Sequence, residues 1–289
     1  MEQHKNKILI PVDFTEIADV AIENGIAIAK GIDAEIYLLH VIQKNIVFIG
    51  RTNKYDNELI AAGTINKLHE IADNIESVHK LKVDIIAIPG NIYDTINAVA
   101  SEIGANFVVM GTHGMKGLQF IKGSNVLRIV YHSPVPYILT QKKNFAPENY
   151  SNVVFPVDAH QESAQKTDWA IYLAKKFNSK INVLAITESD GFLAKRINHN
   201  LYYIKNKFNQ NNVNYTIETS TKDGSEFAEE TNRYADAIKA NMIMITLYPQ
   251  KGAGEFFLTP AQQKIIMNPG EIPVLCINPG ALVMLQSLG

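Results

Sequence analysis

Cysteine is almost missing from this chain. Cys276 is the single one among 289 residues, so no disulfide can close within the sequence. A lone thiol fits a reducing compartment. Its setting, Pro273-Val274-Leu275-Cys276-Ile277, reads as that of a small buried hydrophobe. An excess of charge of either sign is missing too. Lys and Arg number 27 against 29 Asp and Glu, a net charge of −2. That gives no electrostatic pull toward nucleic acid or an anionic membrane surface. No apolar run approaches the roughly 20 residues that cross a bilayer. The first residues lead only into the short run Ile8-Leu9-Ile10 before Pro11, which is no signal-peptide core. A cytoplasmic protein is expected, with neither nucleic acid nor membrane as partner.

Several chemical signatures are lacking as well. No G-x-G-x-x-G follows the first strand and no G-x-x-x-x-G-K-[ST] occurs, which removes the dinucleotide fingerprint and the P-loop. The histidines show no spacing of a zinc site. The turn Pro11-Val12-Asp13-Phe14-Thr15 lacks the Gly/Ser-rich segment with which adenylating folds hold pyrophosphate, and this weakens an enzymatic reading.

What the chain does have is a long internal repeat. Lys7-Ile8-Leu9-Ile10-Pro11-Val12-Asp13 returns 145 residues later as Asn152-Val153-Val154-Phe155-Pro156-Val157-Asp158. Ile36-Tyr37-Leu38-Leu39-His40-Val41 returns at the same offset as Ile181-Asn182-Val183-Leu184-Ala185-Ile186. Two tandem domains are expected, at 1–143 and 150–280, joined by a polar segment around 141–149. Each alternates strands and helices. The first half predicts strands at 8–12, 36–42, 83–88, 107–110 and 135–139, with helices at 15–30, 55–79, after 91 and at about 124–131. Thr15 is the expected cap of the first helix. The second half predicts strands at 153–157, 181–186, 213–217, 242–245 and 274–277. Short, fully apolar strands between helices mean an α/β fold, each domain a five-stranded parallel sheet covered on both faces. Ligands of such sheets bind beyond the carboxyl ends of the strands. Here the ends near Asp13, Val41, Gly90 and Gly111 converge.

At the last of these ends, Val108-Val109-Met110-Gly111-Thr112-His113-Gly114 runs on to Gly123-Ser124-Asn125. Glycines permit positive φ and close backbone approach, and a Ser at a helix start exposes N–H groups that attract anions. Two readings stand: a phosphate cradle, or a loop whose glycines only turn it. Asp13 likewise either accepts a hydrogen bond from a base or ribose, or serves the helix dipole, and residue chemistry leans to the second. His113 has no Ser, Cys or second His placed to form a catalytic set, so an exposed loop residue is the favoured reading.

The repeated strand end with Pro-Val-Asp, the strand end at His40-Val41, the loop from Gly111 to Ser124 and the Ser133-Pro134-Val135-Pro136 strand together resemble the universal stress protein family, over nearly the whole chain. The resemblance implies two tandem domains of the Rossmann-like, adenine-nucleotide alpha-hydrolase type. It implies a stress-response regulator or sensor, not an efficient enzyme, that binds ATP or another adenine nucleotide in its first domain, ATP alone or with Mg as its companion ion. The family pattern is G-x2-G-x9-G followed by Ser or Thr. Gly111-x2-Gly114 and Gly123-Ser124 match it with eight residues, not nine, between Gly114 and Gly123. On this resemblance the ATP-binding residues are Pro11, Val12, Asp13, Val41, Met110, Gly111, His113, Gly114, Gly123, Ser124 and Asn125. In the second half Thr246 stands for Gly111, Pro249 for Gly114 and Thr259-Pro260 for the Gly-Ser pair. Proline removes a donor and fixes φ, so no phosphate cradle is expected there. The resemblance further implies that the fifth strands pair, here within one chain. Whether two chains form a homodimer is left open. Two other functions stay open: a nucleotide-free interaction module and a weak ATP-hydrolysing enzyme.

Overall fold

A computed structural model describes residues 5–43, 54–112, 129–142, 150–248 and 258–278, the side chains at 43, 54–61 and 223 excepted. Among these residues ten strands form one sheet: β1 (Asn6–Pro11), β2 (Ala34–Gln43), β3 (Val83–Gly90), β4 (Phe107–Gly111), β5 (Tyr137–Thr140), β6 (Asn152–Val157), β7 (Lys180–Thr187), β8 (Tyr215–Asp223), β9 (Met242–Thr246) and β10 (Val274–Ile277). Their order is β3-β2-β1-β4-β5-β10-β9-β6-β7-β8. Every pair is parallel except β5 with β10, where Leu139 opposes Val274 and Tyr137 opposes Cys276. Residues 6–140 therefore supply one five-strand half and residues 152–277 the other, in mirrored order about the antiparallel junction. The junction pairs two strand edges that would otherwise be open.

Apolar side chains alternate between two layers along each strand. Ile8, Ile10, Val153 and Phe155 face α1 (Glu16–Ile32), α2 (Lys54–His79), α4 (Thr167–Phe177) and α5 (Gly191–Gln210). Leu9, Val108, Val154 and Ile243 face α3 (Ile92–Glu102), α6 (Phe227–Ala237) and α7 (Pro260–Ile266). Four helix starts are capped locally: Thr15, Asn91, Asp190 and Thr259 each accept from a backbone N–H of the first turn, and Thr259 completes a capping box with Gln262.

Several element boundaries shift by one or two residues from the sequence reading, and in two strands the hydrogen bonds show why. The fifth strand begins at Tyr137 and not at 135. Pro134 and Pro136 cannot donate, and the Val135 N–H goes to Ser133 Oγ at 3.0 Å. The third strand of the second half runs over Tyr215–Asp223 and not 213–217, because the Val213 N–H bonds back to Phe208 O at 3.0 Å and closes the end of α5. The helix expected at about 124–131 lies outside the described residues up to 128. Cys276 is buried in β10, and burial pushes its thiol pKa up.

Candidate functional site

In the first half the carboxyl ends of β1, β2 and β4 meet the amino end of α1. The β1–β2 ladder extends one residue past the strand, with Val12 N–H donating to Leu39 O at 2.8 Å. Val12 O accepts from the His40 ring at Nδ1, 2.7 Å away, which places the ring proton on Nδ1 because a carbonyl only accepts. The chain then turns through Phe14 at φ 61°, the left-handed region. The Phe14 ring lies against His40, centroids 4.9 Å apart, and the Lys67 ammonium stands 5.4 Å from the Phe14 centroid.

Asp13 is exposed at this turn. Its Oδ1 accepts from the Thr15 N–H at 3.1 Å and from Thr15 Oγ1 at 2.6 Å. Thr15, not Asp13, is the helix cap, and Asp13 braces it. The other carboxylate oxygen of Asp13 has no partner among the described residues. Pro11 is half-buried, Val12, Val41 and Met110 are buried, and Gly111 ends β4. A Cβ on Gly111 would stand 2.6 Å from the carbonyl oxygen of Ile17 and 2.6 Å from its Cγ2. That glycine therefore lets the first turn of α1 close onto the end of β4. The structure thus brings Pro11, Val12, Asp13, Val41, Met110 and Gly111 to one edge. His113, Gly114, Gly123, Ser124 and Asn125 lie outside the described residues.

The equivalent edge of the second half is occupied by its own side chains. Asp158, the counterpart of Asp13, is buried rather than exposed. Tyr248, two residues beyond Thr246, donates its hydroxyl to Asp158 Oδ2 at 2.5 Å. The His160 ring stacks on Tyr248 with centroids 4.0 Å apart, and its Nδ1 lies 3.2 Å from the same carboxylate oxygen. Burial pushes the Asp158 carboxyl up, but the hydrogen bond and charge of His160, the Tyr248 hydroxyl and the charge of Lys166 outweigh it and hold the group low. The bond to Asp158 raises His160 in turn.

Below this latch lies Lys166, 1% exposed. Its ammonium donates to Pro156 O and Ser163 O, both at 2.8 Å, and sits 4.3 Å from the Phe155 ring centroid. Burial lowers its pKa to about 7, with the Asp158 charge opposing the fall. The cavity left among Pro156, Asp158, Lys166, Tyr248 and Gln262 is about 10 Å³, the room of one water at most. The sequence reading missed Lys166 and Tyr248. Aligning the repeats would have found the lysine, since at the offset of 145 it stands where the buried Ala21 stands.

Among the described residues no group of three or more His, Cys, Asp or Glu is placed to hold a metal ion. Among them also, no helix is long and apolar enough to cross a membrane.

Comparison with known proteins agrees with this architecture. The sequence profile of the universal stress protein family matches residues 5–141. Universal stress protein MJ0577 of Methanocaldococcus jannaschii is 30% identical over 156 residues, 48% of this chain and 96% of that protein. Universal stress protein MJ0531 of the same organism is 27% identical over 140 residues, 47% of this chain and 82% of that one. The crystal structure of a universal stress protein from Archaeoglobus fulgidus superposes with a TM-score of 0.74 at 17% identity. It covers 94% of this chain and 96% of its own, and so matches the fold across both halves. On the identity and coverage of these relatives, the chain belongs to the universal stress protein family.

Proposed function

We propose that the chain binds ATP, or another adenine nucleotide, at one site in its first half, and that it acts as a stress-response regulator or sensor without being an efficient enzyme. On this reading it is two tandem family domains, 1–143 and 150–280, of which only the first keeps a ligand crevice. The contrast between the two edges carries the proposal. In the first half Asp13 is exposed and keeps a carboxylate oxygen without a partner among the described residues, beside the glycine that opens the family's loop motif. In the second half the same carboxylate is buried under Tyr248 and His160.

Asp13 would accept from a ribose hydroxyl or an adenine amine. Val12 and Val41 would wall the base, with Pro11 and Met110 behind them. Backbone N–H groups from Gly111 through His113 and Gly114 to Gly123, Ser124 and Asn125 would meet the phosphates, as helix starts and glycine turns do. Magnesium would arrive bound to the triphosphate, its charge balanced there.

The second reading is a nucleotide-free interaction module. It is favoured by the eight-residue spacing between Gly114 and Gly123, one short of the family pattern. Mass spectrometry of small molecules released from the purified full chain separates the two. An adenine nucleotide in near-stoichiometric amount supports the proposal. A folded protein that releases none, and takes up none when ATP and magnesium are added, supports the module.

A further inference from the structure

The helices of one sheet face form a row, α2–α1–α4–α5. Lys30 on α1 reaches His79 on α2 at 3.0 Å, α1 touches α4, and Lys207 on α5 reaches Asp168 on α4 at 3.5 Å. This row is electrically divided. On α1 Glu16, Asp19 and Glu23 stand against Lys30, and on the described part of α2 Glu70, Asp73 and Glu76 stand against Lys67, a net of four negative charges. The 20 residues of α5 contain no carboxylate and four cations, Lys195, Arg196, Lys205 and Lys207. On α4, Lys175 and Lys176 against Asp168 add one more positive charge.

The two outer helices of the row also carry the exposed apolar surface. The large apolar side chains that stand out among the described residues are Ile65 and Val78 on α2, and Phe192, Tyr202 and Tyr203 on α5. Phe192 is 68% and Tyr202 67% exposed, unusual for aromatic rings on a helix with a well-filled inner face. Positions 192, 195, 199, 202 and 206 follow one another at spacings of three and four, so Phe192, Lys195, His199, Tyr202 and Asn206 make one outward stripe. Ile197, Asn200, Ile204 and Phe208 make the buried stripe opposite. Between α1 and α2 runs a groove of about 290 Å³ with Ile22, Ile26, Ile71 and Ile75 along its floor and Asp19, Glu23 and Glu70 on its rim.

The geometry points to a second copy of this chain as the partner of this face. A twofold axis lying between two such faces and running along the helices sets α5 of each copy over the α1–α2 groove of the other. An axis across the helices would set like charge on like charge. The aromatic stripe with its lysines and arginine then meets an apolar floor with a carboxylate rim, twice over, and the contact closes on itself. Aromatic anchors in apolar grooves are where interface energy concentrates, and the charge pattern fixes the orientation. The chain's overall charge of −2 favours this partner over a polyanion. This contact is separate from the proposed nucleotide crevice and does not depend on it.

Sedimentation of the full chain tests it. The expected species has twice the chain mass of 32.2 kDa. Raising salt until the Debye length falls to about 3 Å weakens it. Two charge-reversed chains are then made, one carrying Lys195→Glu with Arg196→Glu, the other Glu70→Lys with Asp73→Lys. All four sites are on the surface of the row, and circular dichroism confirms that each variant keeps its helix content. Each variant alone dissociates at least tenfold more readily than the parent, while an equimolar mixture regains a dimer containing one of each. Tyr202→Glu also gives a monomer. A parent chain that stays monomeric, or a dimer indifferent to these changes, overturns the proposal. So does a monomer that binds phosphatidylserine vesicles or single-stranded DNA through α5, which would assign the basic face to polyanions.

Discussion

Gln141 and Asn278 make the same contact in opposite directions across the β5–β10 junction. Gln141 follows β5, and its amide donates to Ile266 O at 3.3 Å and Asn268 O at 3.2 Å in the other half. Asn278 follows β10, and its amide donates to Val130 O at 3.1 Å and to Ser133 O. Both side chains are buried. Each thus adds a donor to carbonyls at the end of the other half's last helix and in the turn after it, where Asn268 O also takes the Glu271 N–H at 3.1 Å and Val130 O the Ser133 N–H at 3.4 Å. The strands between them pair over three registered positions, and the two amides add polar bonds to the contacts that join the halves elsewhere, such as Phe107 against Trp169 with centroids 5.0 Å apart and Tyr150 donating its hydroxyl to Asn24 Oδ1 at 3.0 Å.

Gln141→Leu and Asn278→Leu should each cost about 1–3 kcal/mol, the first by removing the side-chain donor to Ile266 O and the second by removing that to Ser133 O. The two share no partner, so their costs in urea unfolding should add to within roughly 0.5 kcal/mol.

Tyr248→Phe should destabilise the second half by about 1–3 kcal/mol, the cost of a buried carboxylate oxygen losing a donor. The pH dependence has a definite sign. The folded pKa of Asp158 is held below its unfolded value, so the Tyr248 bond contributes above the unfolded carboxylate pKa and is lost as pH falls through the folded one. The difference between parent and variant should be full at neutral pH and shrink in acid.

Lys166 should leave a signature at the other end of the scale. Its folded pKa is about 7, well below that of an unfolded lysine, about 10.4. Between these values the unfolded chain holds the extra proton, so stability rises with pH. Lys166→Met removes the effect. Urea unfolding at pH 6 and pH 9 should show the parent gaining on the variant by roughly 3 kcal/mol over that interval.

Gly111→Ala and Gly63→Ala should act with opposite sign. The first drives a methyl against the Ile17 backbone and should cost about 1–3 kcal/mol. The second, inside α2 with nothing within 4 Å of the added carbon, should gain up to about 1 kcal/mol from helix propensity. Thermal unfolding reads both.

The sheet was legible because its strands are short apolar runs and the repeat gives each strand twice. The cap at Thr15 was legible because a hydroxyl before an acidic first turn has one local purpose. What the sequence hid is what forms only after folding. Tyr248 and Asp158 are 90 positions apart, and neither residue type alone announces a latch. Gln141 and Asn278 sit in ordinary polar contexts until β5 meets β10. Gly111 was readable as a glycine with a purpose, but its described contact is with Ile17, a packing need that coexists with the loop motif it opens. Proline decided the start of β5, where hydropathy alone placed it two residues early.

A calorimetric titration of ligand-free full-length chain with ATP and magnesium, run beside Gly114→Pro and Tyr248→Ala, tests the central claim most directly. The account predicts one nucleotide per chain for the parent and for Tyr248→Ala, and none for Gly114→Pro. Two nucleotides per parent chain, or one that survives Gly114→Pro, would contradict a single site built on the first-half loop.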